Sequence, residues 1–152
     1  TGFYNRIRFS EYLGNELNRL RRYGGEATLL LLDLDHFKAI NDEHGHDLGD
    51  RVLKELCQVL EENSREADIP ARWGGEEFVL LAPETFAQEG ELLAEKLRQA
   101  VANHPFPAVA SVTVSIGCVS LSPGDSPDEV LRRADDAMYA AKEAGRNRVA
   151  TG

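Results

Sequence analysis

The pattern of apolar and polar positions divides the chain into helical and strand-like stretches. Apolar residues three or four positions apart predict helices over 3–23, 37–60, 87–101 and 127–143. A polar segment with two glycines, 41–50, divides the second stretch into two helical pieces. Period-two or continuous apolar runs predict strands over 27–34, both flanks of a hairpin within 70–82, 109–121 and a short terminal segment, 148–150.

These elements predict one α/β domain over residues 1–152, with helices packed over a central sheet. The length suits a single hydrophobic core, and the chain has no repeat, low-complexity tract or linker. Leucine dominates 27–34 and would also suit a helix, but the flanking glycines and acids favour a buried strand. The first residue is Thr1, not methionine, so we expect the C-terminal output domain of a longer protein, with a regulatory domain upstream.

Charge and composition exclude several classes of function. The net charge is −9, with 42% hydrophobic and 28% charged residues, which is typical of a soluble globular protein. Such an acidic chain lacks the basic surface that drives nucleic-acid binding, so no nucleic-acid partner is expected. A phosphorylated ligand would therefore have to be neutralised by a metal ion or by a few well-placed cations.

Two further features of the sequence indicate the cellular compartment of the protein. No apolar run is long enough to cross a bilayer and no signal peptide is visible, so we expect a cytoplasmic domain without direct membrane contact. A longer protein could still be anchored to a membrane upstream. Cys57 and Cys118 lie far apart and are expected to be free, buried thiols in a reducing compartment, with a disulfide or metal pair as the alternative.

Acidic residues interrupt two otherwise apolar segments. Asp33 ends the first predicted strand, and Glu76 and Glu77 follow Gly74-Gly75 in the hairpin. If the hairpin lies beside that strand, the acids meet, and like charges about 4 Å apart repel by roughly 4 kcal/mol at an effective dielectric of about 20. A divalent cation such as Mg²⁺ would compensate and could also bridge phosphates, although solvated turn acids remain an alternative. Gly74-Gly75 has two interpretations, a hairpin turn that needs positive φ and a gap that admits a nucleotide to the backbone.

Motifs that follow one another along the whole chain carry a family resemblance. They are Thr1-Gly2, Asn5-Arg6, Asp33-Leu34-Asp35-His36-Phe37-Lys38, Asn41-Asp42, Gly45-His46, Gly49-Asp50, Arg72-Trp73-Gly74-Gly75-Glu76-Glu77-Phe78, Ser115-Ile116-Gly117, Ala134-Asp135, Tyr139, Ala141-Lys142, Gly145-Arg146 and Asn147-Arg148. In this order they resemble the GGDEF diguanylate cyclase family, in its GGEEF variant. The resemblance implies a mostly antiparallel sheet of about five strands flanked by helices, similar to the catalytic cores of nucleotidyl cyclases and polymerase palms. It also implies condensation of two GTP into cyclic di-GMP with release of two pyrophosphates.

The resemblance also implies roles for residues at matching positions. The catalytic carboxylates would be Asp33, Glu76 and Glu77, which with the Leu34 carbonyl would bind Mg²⁺ or Mn²⁺. Asn41 and Asp50 would read guanine, because an amide and a carboxylate complement its acceptors and donors; this disfavours a palm-like cyclase acting on ATP. The remaining GTP contacts would come from Lys38, the backbone N–H groups of His36, Phe37 and Lys38, the Gly75 backbone, Lys142 and Arg146. The last two are four apart and are predicted to project together from the final helical turn.

Regulation and assembly follow from the same resemblance. Arg65 and Asp68 match the RxxD motif at which the family's product inhibits, with a surface helix pair as the alternative. Because each domain would hold one GTP, catalysis would need a homodimer. A silent receptor for GTP or cyclic di-GMP is the competing hypothesis, and the presence of every predicted metal and guanine residue favours an active enzyme.

Overall fold

The computed structural model describes residues 3–152, so the Thr1-Gly2 motif lies outside the described residues. In chain order the elements are α1 (Arg6–Tyr23), β1 (Ala27–Leu34), α2 (Phe37–His44), α3 (His46–Asn63), β2 (Ile69–Arg72), β3 (Glu77–Pro83), α4 (Ala87–Asn103), β4 (Val114–Ser120), α5 (Pro127–Glu143) and β5 (Val149–Thr151). The strands form one sheet in the order β2-β3-β1-β4-β5. Only β4 and β5 run parallel, which confirms the predicted mostly antiparallel sheet.

The central strand, β1, is buried along its whole length. Leu30 and Leu32 pack into the core under α2, α3 and α4, whereas Leu29 and Leu31 pack into the core under α1 and α5. Both faces are covered, which explains why this strand is a continuous apolar run rather than an alternating one. The same alternation places Asp33 on the α1 and α5 side, at the end of the strand.

Three predicted boundaries are wrong, for identifiable reasons. α1 begins at Arg6 because the Asn5 side chain caps it, accepting a hydrogen bond from the Arg8 N–H at 2.8 Å. The segment 41–50 is helical except at Gly45, whose φ of 89° separates α2 from α3. β4 begins at Val114 rather than at residue 109, because its partner β1 ends at Leu34, directly opposite.

The helix α5 lies directly on β4. A methyl group at Gly117 would collide with the backbone of α5 at the Ala134 oxygen and the Met138 nitrogen, so only glycine permits this approach. Ser126 caps the helix and accepts from the Glu129 N–H at 3.2 Å. This packing fixes the C-terminal turn of α5 beside the ends of β1 and β4.

The remaining expectations concern thiols and membrane segments. Cys57 and Cys118 are free and buried, as predicted. None of the helices formed by residues 3–152 combines the length and apolar character needed to cross a membrane.

Candidate active site

Carboxylates from β1 and β3 meet at one end of the sheet. Asp33 lies directly opposite Glu77 in the antiparallel register, and the Leu34 N–H donates to the Glu76 carbonyl at 3.2 Å. The Asp33 and Glu76 side chains are close enough that the charge of Asp33 raises the pKa of Glu76. The structure therefore places the three predicted acids together, because the hairpin does lie beside the first strand.

The Gly74-Gly75 loop is open to solvent on one side. Neither glycine has a positive φ, so the interpretation of the pair as a turn that needs positive φ is wrong. A side chain built at Gly75 would meet nothing within 4 Å. The space beside the backbone is consistent with the other interpretation, in which a ligand approaches the loop.

Three side chains to which sequence analysis gave no role hold this loop in place. Arg72 donates to the Gly75 carbonyl at 2.6 Å and to the Gly74 carbonyl at 3.2 Å. The Arg6 guanidinium lies 4.2 Å from the centre of the Trp73 ring, a cation–π distance. All three belong to the motifs that carry the family resemblance, Asn5-Arg6 and Arg72-Trp73, and that membership is the signal that could have pointed to them.

The ammonium of Lys142, in the last turn of α5, lies between two acids. Its Nζ is 3.2 Å from Asp33 Oδ2 and 3.6 Å from Asp35 Oδ1, and the lysine side chain is only 18% exposed. The prediction that Arg146 shares this helical turn is wrong, because α5 ends at Glu143. Arg146 follows in a left-handed conformation with φ 65°, its N–H donating back to the Ala141 carbonyl at 3.0 Å.

Asp33, Glu76 and Glu77 each have a raised pKa, so they hold their protons more tightly than usual. Burial is the main cause that raises the pKa of Asp33, with the Asp35 charge adding to it and Lys142 opposing it. Burial and then the Asp33 charge raise the pKa of Glu76. The same two causes, in the same order, raise the pKa of Glu77. A cation brought to this site would therefore relieve both desolvation and mutual repulsion.

The donor set fits a hard divalent cation. Asp33 Oδ1 is buried and accepts no hydrogen bond, so it is free to coordinate. Within residues 3–152, no three His, Cys, Asp or Glu side chains are grouped closely enough to hold a metal by themselves. Mg²⁺ typically takes one or two protein carboxylates and completes its shell with waters and substrate phosphates. Asp33 and Glu76 meet that requirement.

Stability should depend on pH through these acids. Each has a folded-state pKa above its ordinary value (3.8 for Asp, 4.5 for Glu), so the stability it contributes is present at low pH and is lost as pH rises through the folded value. We therefore expect the melting temperature of the metal-free protein to fall as pH rises through these folded-state pKa values. Asp33→Asn should make the melting temperature depend less on pH in this range. Mg²⁺ should restore the stability that the wild-type protein loses there. Scanning calorimetry across the range would refute the assignment if wild type and Asp33→Asn had the same slope.

The predicted guanine readers lie close together across the α2–α3 junction. A methyl group at Gly49 would overlap Asn41 Oδ1, an oxygen that is buried and accepts no hydrogen bond. The next residue, Asp50, is exposed and lines a pocket of about 570 Å³ together with Phe3 and Leu53. Asp50 is thus an exposed carboxylate at a pocket, whereas the unpartnered Asn41 oxygen lies buried against the neighbouring Gly49.

The start of α2 lies one turn beyond the acids of β1. His36 precedes it in a left-handed conformation, φ 57°, and no side chain caps the helix. The N–H groups of the first turn are therefore available to an anion. His36 and Lys38 are exposed, whereas the ring of Phe37 belongs to the core.

Arg65 and Asp68 form a tight pair in the turn between α3 and β2. The Arg65 guanidinium donates to Asp68 Oδ1 at 3.0 Å and its backbone N–H to Oδ2 at 2.8 Å. The alternative of a surface helix pair is wrong, because α3 ends at Asn63. The Arg65 side chain is 48% exposed and that of Asp68 is fully buried, so the pair presents a cation to solvent.

Comparison with known proteins adds three findings. A family model described as "Diguanylate cyclase, GGDEF domain" matches residues 1–148. Diguanylate cyclase DgcP of Pseudomonas aeruginosa is 45% identical over 152 residues, which cover 98% of this chain and 23% of DgcP. The response regulator PleD of Caulobacter vibrioides is 41% identical over 155 residues, covering 98% of this chain and 34% of PleD.

A solved structure gives the same result. The GGDEF domain of DgcB from Caulobacter crescentus, in complex with c-di-GMP, superposes with a TM-score of 0.94 at 34% identity, covering 99% of this chain and 92% of that chain. The chain thus matches a whole domain of known fold, but it spans only about a quarter to a third of the two curated relatives named above.

Proposed function

The chain belongs to the GGDEF-domain family of diguanylate cyclases, and from that premise we propose that it condenses two GTP molecules into cyclic di-GMP. The observation that supports this most strongly is the end of β1, where Asp33 has a buried oxygen without a partner, Glu76 lies close enough for the Asp33 charge to raise its pKa, and the Gly75 backbone is open. A receptor that had lost catalysis would not need to keep such costly carboxylates together.

The reaction is an in-line displacement at phosphorus. The 3′-hydroxyl oxygen of one GTP attacks the α-phosphorus of the other, the bond to the β-phosphate oxygen breaks, and pyrophosphate leaves; the reciprocal attack closes the ring. Asp33 and Glu76 would hold a divalent cation, which would supply Lewis-acid neutralisation of the phosphate charge. Glu77, whose pKa is raised by burial and by the Asp33 charge, either completes that site or accepts the hydroxyl proton.

Recognition of the guanine base is assigned to residues of α2 and α3. The Asn41 amide can donate to guanine acceptors, and the exposed Asp50 carboxylate can accept from the guanine N1–H and N2–H groups. The triphosphate is assigned to the uncapped start of α2 with Lys38, to Lys142 and to Arg146. An adenine base would present a different set of donors and acceptors to Asn41 and Asp50, which favours GTP.

Two chains are needed in this scheme, because each carries one GTP site and the attack passes between them. We therefore propose a homodimer, assembled in a longer protein by an upstream domain. Incubation of an artificially dimerised chain with GTP and Mg²⁺, followed by chromatography, is expected to show cyclic di-GMP, with much slower formation by the undimerised chain at low concentration. A silent receptor would bind nucleotide and leave GTP unchanged in both samples.

Product inhibition is proposed at the Arg65–Asp68 pair. The exposed guanidinium can bind a phosphate or the acceptor edge of guanine. Arg65→Ala should abolish cyclic di-GMP binding measured by calorimetry and relieve inhibition at high product, while Arg22→Ala, a surface substitution on α1, should change neither. Unchanged affinity in folded Arg65→Ala would remove this site from the account.

A further inference from the structure

The carboxylate of Asp35, just beyond β1, is bound by donors from two other parts of the chain. It is only 3% exposed. The Thr113 hydroxyl donates to Oδ2 and the Ser115 hydroxyl to Oδ1, each at 2.7 Å. The Asn147 N–H donates to Oδ2 at 3.0 Å. Because both oxygens already accept hydrogen bonds, Asp35 differs from Asp33, whose free oxygen suits a metal.

The turn that Asp35 contacts carries backbone strain. Arg146 and Asn147 are consecutive non-glycine residues with φ of 65° and 48°, in the left-handed region that such residues seldom adopt. The Arg98 guanidinium of α4 holds the turn from one side, donating to Asn147 Oδ1 at 2.8 Å. Asp35 holds it from the other side. The turn therefore keeps this conformation because contacts outside it offset the strain.

Asp35 also faces Lys142, whose Nζ lies 3.6 Å from Oδ1. We propose that Asp35 is a positioning residue for the triphosphate: it fixes the turn 144–148, which carries Arg146, and it orients the Lys142 ammonium beside Asp33. This inference rests on the proposed function. It assigns part of the GTP site's affinity for the triphosphate to a residue that touches neither nucleotide nor metal. Three neutral donors and the Lys142 ammonium compensate the charge of Asp35, and the Asp33 carboxylate shares the same ammonium.

The test compares two ligands of the dimerised chain in the presence of Mg²⁺. One is 3′-deoxy-GTP, which has the triphosphate but lacks the attacking hydroxyl; the other is GMP, which lacks the β- and γ-phosphates. Asp35→Ala should weaken 3′-deoxy-GTP binding by about tenfold or more, the usual effect of losing a group that orients a binding residue. GMP binding should stay within about twofold, because the guanine side does not depend on this turn. Asp136→Asn, an exposed substitution on α5, should bind both ligands as wild type does.

Hydrogen exchange supplies an independent readout. The Asn147 amide should be protected in wild type and exchange faster in Asp35→Asn, because an asparagine offers one acceptor where the carboxylate offers two. If Asp35→Ala does not fold, the near-isosteric Asp35→Asn decides, with a smaller but measurable loss of 3′-deoxy-GTP affinity relative to GMP. An unchanged affinity ratio together with unchanged Asn147 protection in Asp35→Asn overturns the assignment. Failure of wild type itself to bind 3′-deoxy-GTP would instead overturn the proposed function.

Discussion

Replacing Glu76 by glutamine should all but eliminate cyclic di-GMP formation while leaving the fold intact or more stable. Glutamine has nearly the same shape but cannot neutralise a metal or share the charge of a cation with Asp33. Removing one group that stabilises transition-state charge typically costs about 10²–10³-fold in rate, and we expect a loss at the upper end of that range. Because burial and Asp33 raise the pKa of Glu76, a neutral side chain at this position should not lower the melting temperature.

The opposite responses of activity and stability make Glu76→Gln informative. Initial rates of product formation and melting temperatures would be measured on the same dimerised preparations. Glu62→Gln, an exposed glutamate in α3, is the matched control and should retain both wild-type values. A Glu76→Gln protein that made product at more than about a tenth of the wild-type rate would exclude Glu76 from the metal site.

Replacing Lys142 by methionine should impair both stability and activity. The lysine is the cation closest to Asp33, at 3.2 Å, and both side chains are largely buried, at 18% and 11% exposed. Removing one partner of such a pair leaves an uncompensated charge, which costs about 3 kcal/mol, near the lower end of the range for buried pairs. Methionine keeps the length and apolar stem of lysine, so the loss reports on the charge.

Added Mg²⁺ separates the two roles of Lys142. A cation bound by Asp33 would replace part of the missing charge, so Mg²⁺ should raise the melting temperature of Lys142→Met by more than it raises that of wild type. GTP affinity should stay weak, because the contact to the triphosphate is not restored. Arg132→Met, an exposed substitution on the same helix, should leave stability and activity near wild type. Equal stabilisation of wild type and Lys142→Met by Mg²⁺ would argue against a shared Asp33 site.

Local signals in the sequence were enough to predict the first and last residues of two elements. β1 is bounded by glycines before it and acids after it, and α5 begins with a Ser126 cap and Pro127, so both were predicted with their observed ends. The convergence of Asp33 with Glu76 and Glu77 was predicted on the condition that the hairpin lies beside the first strand, and the observed sheet order meets that condition. The family resemblance supplied the roles of these acids.

Other features depend on contacts that the sequence does not encode locally. The start of β4 is set by where β1 ends, so alternation alone extended the strand too far. Arg65 and Asp68 are spaced as a helix pair would be, and only the end of α3 at Asn63 shows them to be in a turn. Asp35 resembles any turn acid until Asn147, 112 positions later, is found to donate to it.

The central claim is that this chain joins two GTP molecules through their 3′-hydroxyls. The most direct measurement is the stoichiometry of the reaction of the dimerised chain with GTP and Mg²⁺, with nucleotides resolved by chromatography and pyrophosphate measured by coupled release. We expect one cyclic di-GMP and two pyrophosphates for every two GTP consumed, and no cyclic product when 3′-deoxy-GTP replaces GTP. Intact GTP, or its conversion to GDP and phosphate, in an assay where a known diguanylate cyclase makes product would contradict it.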